Sequence, residues 1–260
     1  MHASTTLLRD DEHTRSFVDR ERIRDPDNAA REFDAEPMTA GATKFFDPSD
    51  IAACLRPDLP VISAPRAFAR AWCGLDTGFR KDPTAAVIIR EHMGRLEVAE
   101  VVEIVPPKGD RLKPSETIRA LLARAAYHNC EAVIADQHYI ETVREHIGSI
   151  ALHEAPSDKA GPYVETRTEL KERRLLIPEP HAKLILQLKD VVSKPMSGGN
   201  LQITSPRKGG AHGDLVSALT LATWAAVKSI GAAPVVTPMG SGVTGALAMD
   251  RHGKRVRPFR

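Results

Sequence analysis

The sequence predicts an α/β fold: a mixed β-sheet of three antiparallel strands and then parallel strands, flanked by helices. Three observations lead there. The middle of the chain opens with three short strand-like runs separated by tight turns, which makes them antiparallel neighbours. Apolar runs of strand length then alternate with segments whose apolar residues recur three and four apart, so later strands are joined through helices. The final periodic segment, 214–228, is a strongly apolar helix.

Taken in order, 71–76 is an apolar run stopped by Thr77-Gly78, and 84–90 is a second, rich in β-branched residues; both read as buried strands. Met93-Gly94 marks a turn, and 95–105 alternates loosely through Leu96, Val98, Val101 and Ile104 until Pro106-Pro107 ends it. Ser115 stands as an N-cap before Ile118, Leu121, Leu122 and Ala125, which share one helical face. Residues 131–136 form the fourth strand, 139–147 a short helix, 149–153 a further strand and 163–174 a helix. Residues 181–192 carry Leu184, Ile185, Leu188, Val191 and Val192 in helical phase, and Ser197-Gly198-Gly199-Asn200 with 201–204 suggests a hairpin tip and a strand. The sum, β-β-β-α-β-α-β and then helices, is the chain order of the RNase H-like fold.

Composition divides the chain into three parts: an acidic N-terminal arm and linker over 1–66, the packed domain over 67–230, and a flexible basic tail over 231–260. Short helices are expected in the arm at 28–36 and 48–55, the second capped by Asp47. The 36 Lys and Arg against 34 Asp and Glu give a net charge of +2, a cancellation between acidic arm and basic tail that excludes a histone-like polycation. Cys54, Cys73 and Cys130 are odd in number and widely spaced, so neither a disulfide framework nor a zinc knuckle is supported, and a reducing, cytoplasmic compartment follows. No apolar run reaches the roughly 18–20 residues that span a bilayer. Nothing repeats at solenoid or propeller periods.

Three acids sit where chemistry is easier to argue than structure. Asp76 ends the first strand, in Leu75-Asp76-Thr77-Gly78; Asp136 ends the fourth, in Ile134-Ala135-Asp136; Asp214 opens the last helix, in His212-Gly213-Asp214-Leu215. Singly, each has an ordinary reading: a turn former, a loop starter, an N-cap. Jointly, if the first and fourth strands are parallel neighbours, Asp76 and Asp136 emerge at one edge, and carboxylates that close repel unless a cation lies between them. Oxygen ligands without cysteine select Mg²⁺ or Mn²⁺ over zinc. Two such ions, about 3.5–4 Å apart, support in-line phosphodiester hydrolysis. Asp82, in Asp82-Pro83-Thr84, is a weaker candidate that a turn explains equally well, and His212 contacts a phosphate or faces solvent. His128, His138, His146, His153 and His181 lack metalloprotease or zinc-finger spacing.

Leu75-Asp76-Thr77-Gly78 with Asp82-Pro83-Thr84-Ala85, the strand-end Asp136, and His212-Gly213-Asp214-Leu215-Val216-Ser217-Ala218-Leu219 resemble the nuclease domain of the large terminase subunit of tailed bacteriophages. Asn28-Ala29-Ala30-Arg31-Glu32-Phe33 and Phe45-Phe46-Asp47-Pro48 resemble the segment joining its ATPase and nuclease domains, so the likeness covers about residues 25–230. It implies an RNase H-like endonuclease that cuts concatemeric viral DNA during genome packaging. Asp76, Asp136 and Asp214 would hold two divalent ions, with Asp76 bridging both and Asp82 as an accessory metal ligand. It also implies the host cytoplasm, duplex DNA as substrate, and a separate packaging ATPase, small terminase subunit and portal as partners. Two departures stand out: Gly213 takes the place of an acid often found before the last carboxylate, and no Gly-x-x-x-x-Gly-Lys-Ser/Thr phosphate loop occurs, so the ATPase half is absent from this sequence.

Lys159, Lys194, Arg207, Lys208 and His212 are the expected DNA-phosphate contacts, and aromatics at 5% are too few for a stacking platform. Competing readings are a Holliday-junction resolvase or transposase of the same fold, separable by substrate, and an idle DNA-binding or portal-docking remnant, separable by metal-dependent plasmid cleavage. A sugar-kinase-like phosphotransferase is suggested by Asp76-Thr77-Gly78 and weakened by the lack of a second glycine-rich loop.

Overall fold

The computed structural model describes residues 9, 11–24, 33, 43–66, 69–80, 82–195, 201–205 and 213–230. Seven strands form the central sheet: β2 (Leu55–Arg56), β3 (Ala71–Asp76), β4 (Thr84–His92), β5 (Arg95–Ile104), β6 (Ala132–Ala135), β7 (Ala151–Glu154) and β8 (Leu175–Pro178). Their order is β2-β8-β5-β4-β3-β6-β7. β3, β4 and β5 are antiparallel neighbours; β6 and β7 continue in parallel from β3, and β8 and β2 in parallel from β5. The β4–β5 turn is made by Met93 and Gly94, both at positive φ (52° and 73°), the pair of left-handed residues that a two-residue hairpin requires. This is the RNase H-like mixed sheet that the strand order predicts.

Helices cover both faces. On one lie α3 (Pro114–Tyr127) and α4 (Ile140–His146), packing Ile118, Leu121 and Val143 onto Cys73, Leu75, Ile88 and Val133. On the other lie α2 (Pro48–Cys54), α5 (Gly161–Lys171), α6 (Ala182–Asp190) and α7 (Asp214–Ile230), packed onto Trp72, Val87, Ile89 and Ile134. Alternation along β3 therefore sends Trp72, Gly74 and Asp76 to the α7 face and Cys73 and Leu75 to the α3 face. A small second sheet, β1 (Thr43–Lys44), β9 (Val192–Pro195) and β10 (Leu201–Thr204), is antiparallel throughout. The first helix, α1 (Glu12–Arg24), precedes both sheets.

Several boundaries differ from expectation. Residues 43–56, expected as part of an arm, are packed: Phe45, Phe46, Ile51 and Cys54 are buried in the α7-face core, and β1 and β2 join the two sheets. The polar stretches around these four anchors mask them in the sequence. The Asp47 cap is present, its Oδ1 accepting from the Ser49 amide at 2.7 Å. Ser115, in contrast, is not an N-cap; Lys113 holds that position and Pro114 opens the helix, where its missing N–H costs nothing. β8 has no counterpart among the expected strands, because its four residues fit a helix end or a strand equally well. The helix expected over 28–36 and the tail over 231–260 lie outside the described residues, apart from Phe33. Among the described residues no helix is long and apolar enough to cross a membrane.

Candidate active site

β3 and β6 place the first two acids. Leu75 is in parallel register with Ala135, so Asp76 and Asp136 follow at the next position on strands about 4.8 Å apart, both on the α7 face. They line one cleft of about 850 Å³ together with Lys159, Tyr163 and Ser217. Asp136 makes no side-chain cap to the short 3₁₀ turn Gln137–Tyr139 that follows it, so the loop-starting role does not engage its carboxylate.

Asp214 arrives by helix packing. α7 lies so close over β3 that a Cβ on Gly74 would meet the Ala218 carbonyl oxygen at 2.0 Å and the Ala222 nitrogen at 2.6 Å. Gly74 and Asp76 share a face, so the first turns of α7 sit over Asp76. Asp214 does not cap its own helix: the Gln187 side chain of α6 accepts from the amides of Leu215 (3.0 Å) and Val216 (3.3 Å). Asp214 is the first residue of the helix, one past the cap position, where the Gly213 carbonyl accepts from the Ser217 amide at 2.9 Å. It is 8% exposed, and its Oδ2 is buried with no hydrogen-bond partner.

Asp82 is held nearby by a folded-back loop. Thr84 Oγ1 donates to the Gly78 carbonyl and accepts from the Gly78 amide at 3.2 Å, and a Cβ on Gly78 would collide with the Asp82 backbone at 2.6 Å. The spacing Gly78 to Thr84 is therefore a closed turn that returns Asp82 toward Asp76 and Asp214.

The electrostatics record this crowding. Burial pushes the Asp76 carboxyl up to about 7; a hydrogen bond from Ser217 opposes the rise, and Asp214, Asp136 and Asp82 add to it. Burial likewise raises Asp214 to about 6, with Asp82 and Glu103 adding to the rise and its own amide and Lys183 opposing it. Tyr163 is pushed up to about 12 by burial and then by Asp76, so its phenol stays neutral. Its ring stacks on Phe46, with centroids 6.4 Å apart, which ties the segment at 45–46 to the cleft wall. The cysteines are no part of the site: burial raises all three thiols.

Of the expected DNA contacts, Lys159 lines the cleft, and Lys194 is exposed on β9 opposite Gln202. Arg207, Lys208 and His212 lie outside the described residues. Sequence reasoning passes over Ser217, Gln187 and Tyr163, and also Glu103, which lies in one row across the sheet with Ala85 and Asp76 and binds Lys183 Nζ at 2.6 Å. Ser217 carries a signal, since it falls one helical turn after Asp214; so does Gln187, a polar residue in phase between Leu184 and Leu188.

Solved structures share this arrangement of sheet and helices. The large terminase nuclease of thermophilic phage G20c superposes with a TM-score of 0.56 at 17% identity, covering 69% of this chain and 96% of that one. The HK97 bacteriophage large terminase gives 0.58 at 17% identity, covering 83% and 50%. The large terminase of a second thermophilic bacteriophage gives 0.61 at 14% identity, covering 79% and 51%. The chain has the large terminase nuclease fold. It spans nearly all of the G20c nuclease and about half the length of the other two large terminases. The G20c nuclease has been solved with bound magnesium and with bound cobalt. No family model and no curated protein matches the sequence.

Within the terminase nuclease fold, the departure at Gly213 has a local reason. A Cβ there would meet Ser205 Oγ at 2.2 Å, so an acid at 213 would require Ser205 to move. Among the described residues no three His, Cys, Asp or Glu side chains stand close enough, as they are, to hold a metal ion. The donor chemistry nevertheless fits a hard cation: the groups are carboxylates, burial and neighbouring acids raise Asp76 and Asp214, and one buried oxygen lacks a partner.

Proposed function

We propose that the protein is a divalent-metal-dependent DNA endonuclease, of the kind that cuts concatemeric viral DNA during genome packaging. Asp76, Asp136 and Asp214 are its catalytic and metal-holding carboxylates, with Asp82 beside them. The observation that carries this reading is the gathering of these acids at one sheet edge, with Gln187 rather than Asp214 serving the first amides of α7 and Asp214 Oδ2 left without a partner. The likeness of fold to the terminase nucleases, and the magnesium and cobalt bound by the G20c protein, support it.

When bound, two Mg²⁺ or Mn²⁺ ions would lower the pKa of a coordinated water and stabilise the leaving oxygen of the phosphodiester. Asp76, between Asp136 on its sheet neighbour and Asp214 on the helix above, would hold the ions together with them. Ser217, on the same cleft wall, opposes the rise that burial imposes on the Asp76 carboxyl. Tyr163 presents a neutral hydroxyl on the cleft wall, and Lys159 holds a phosphate without reading a base. No side chain need serve as general base. Duplex DNA is the substrate, with a separate packaging ATPase, the small terminase subunit and the portal as partners.

The test is incubation of the protein with supercoiled and linear DNA in EDTA, Mg²⁺ and Mn²⁺. Cleavage is expected in the two metals and none in EDTA. Asp76→Ala and Asp214→Ala should fold normally and lose on the order of 10³-fold or more in rate, the equivalent of at least about 4 kcal/mol of transition-state stabilisation. Full cleavage by both variants in Mn²⁺ overturns the assignment.

A further inference from the structure

Both strands that carry the acids run on past them into a second concavity on the opposite, α3 face of the same sheet edge. Phe79 and Arg80 follow Asp76 by three and four residues, and Tyr139 follows Asp136 by three. With Arg111 and Lys113 they line a pocket of about 380 Å³. Its floor is rigid: the Phe79 and Tyr139 rings meet edge to face with centroids 4.5 Å apart, and the Leu112 amide donates to the Phe79 carbonyl at 2.8 Å, which pins the loop bearing Arg111 to the loop bearing Arg80. Arg80, Arg111 and Lys113 are all exposed, and of the three only Lys113 has an ion pair among the described residues, with Glu116 at 3.0 Å.

We infer that this pocket is a second DNA-backbone site, in which Arg80, Arg111 and Lys113 hold phosphates of the duplex whose scissile bond lies at Asp76 and Asp136. Among the described residues three cations and no acid line this concavity, with Glu116 paired to Lys113 and Asp110 accepting from the Arg111 amide beside it, so the complementary partner is a polyanion. The four residues from Asp76 to Arg80 reach at most about 14 Å. At about 3.4 Å of rise per base pair, that places the held phosphates within about four steps of the cut. The neighbouring aromatic pair is packed into the sheet's own core rather than offered for stacking, so the contact is with phosphate and not with bases. Lys159 on the α7 side and the arginines on the α3 side then grip the strand on either side of the carboxylate edge. The inference rests on the nuclease reading for the position of the cut, while the binding itself is measurable without cleavage.

The experiment is titration of a fluorescent 30-base-pair duplex in Ca²⁺ or EDTA at several salt concentrations, comparing the parent with Arg80→Ala/Arg111→Ala. The control is Arg95→Ala/Lys171→Ala, which removes two exposed charges at the far end of the sheet, about 30 Å along β5. Loss of two phosphate contacts should lower the slope of log affinity against log salt by about two and weaken binding about tenfold or more near 0.1 M salt. The control should change either by less than about twofold. Parent-like affinity and slope in Arg80→Ala/Arg111→Ala overturns the inference, as does a parent that binds no duplex. A parent whose binding follows this pattern but which cuts nothing in Mg²⁺ or Mn²⁺ upholds the site and overturns the endonuclease reading instead.

Discussion

The sheet buries acidic side chains at both ends, and the two ends treat them in opposite ways. At the far end, Glu97 (2% exposed) pairs with the buried Arg90, lies 3.4 Å from Ser63 Oγ and 3.6 Å from Arg66. Midway along β5, Glu100 (4% exposed) takes Arg124 at 2.7 Å and His128 at 2.8 Å. At the other end, Asp76 and Asp214 face further carboxylates, and burial and mutual repulsion raise both. A buried carboxylate surrounded by matched donors has its charge compensated, whereas buried carboxylates surrounded by one another carry a standing cost that an incoming cation removes. The second arrangement marks the working edge.

Truncation at the two ends should therefore differ in sign. Glu97→Ala strands the buried Arg90 and is expected to cost about 3–5 kcal/mol, read as a drop in urea midpoint. Gly74→Ala drives a methyl into the backbone of α7 and should cost about 3 kcal/mol while lowering cleavage at the same time, because the helix that carries Asp214 must shift. Asp76→Asn removes the repulsion and should stabilise the metal-free protein by about 2 kcal/mol at pH 8, a rise of about 4–8 °C in Tm, while cleavage disappears. A loss of stability in Asp76→Asn would break the contrast between the two ends.

The smallest effect is the pH dependence of the metal-free protein. The Asp76 carboxyl titrates near 7 in the fold against an ordinary 3.8, so the folded state binds the extra proton between these values. This group leaves stability intact below about pH 4, and stability falls as pH rises through about 7. In EDTA, parent Tm should fall between pH 5 and pH 8 relative to Asp76→Asn. Because metal displaces that proton, the Tm increment from Mg²⁺ should grow over the same interval. Parallel Tm profiles for parent and Asp76→Asn would sink the assignment of the raised group.

The legible parts of this molecule are those whose signal is local. The strand at 71–76 is readable because its apolar run ends at Asp76-Thr77-Gly78, and the β4–β5 hairpin because Met93-Gly94 punctuates two long runs. Asp76, Asp136 and Asp214 are candidates from their places at strand ends and a helix start. Phe45, Phe46 and β8 escape such a reading because a short apolar run records neither its secondary structure nor its partner. Gln187 and Ser217 escape it as site residues for a related reason: one acts on an amide 28 residues away, the other on a carboxylate of another element.

The sequence by itself determined the α/β class, the succession of strands β3 to β7 and which acids lie at their ends, because periodicity and punctuation act over a few residues. Only the tertiary structure decided that Asp76 and Asp136 are sheet neighbours with Asp214 packed above them. Only it showed that a glutamine from another helix serves the first amides of α7, and that Arg80, Arg111 and Lys113 meet behind the carboxylate edge. Those are long-range contacts, set by how helices close over a sheet, and no spacing along the chain encodes the distance at which two elements come to rest.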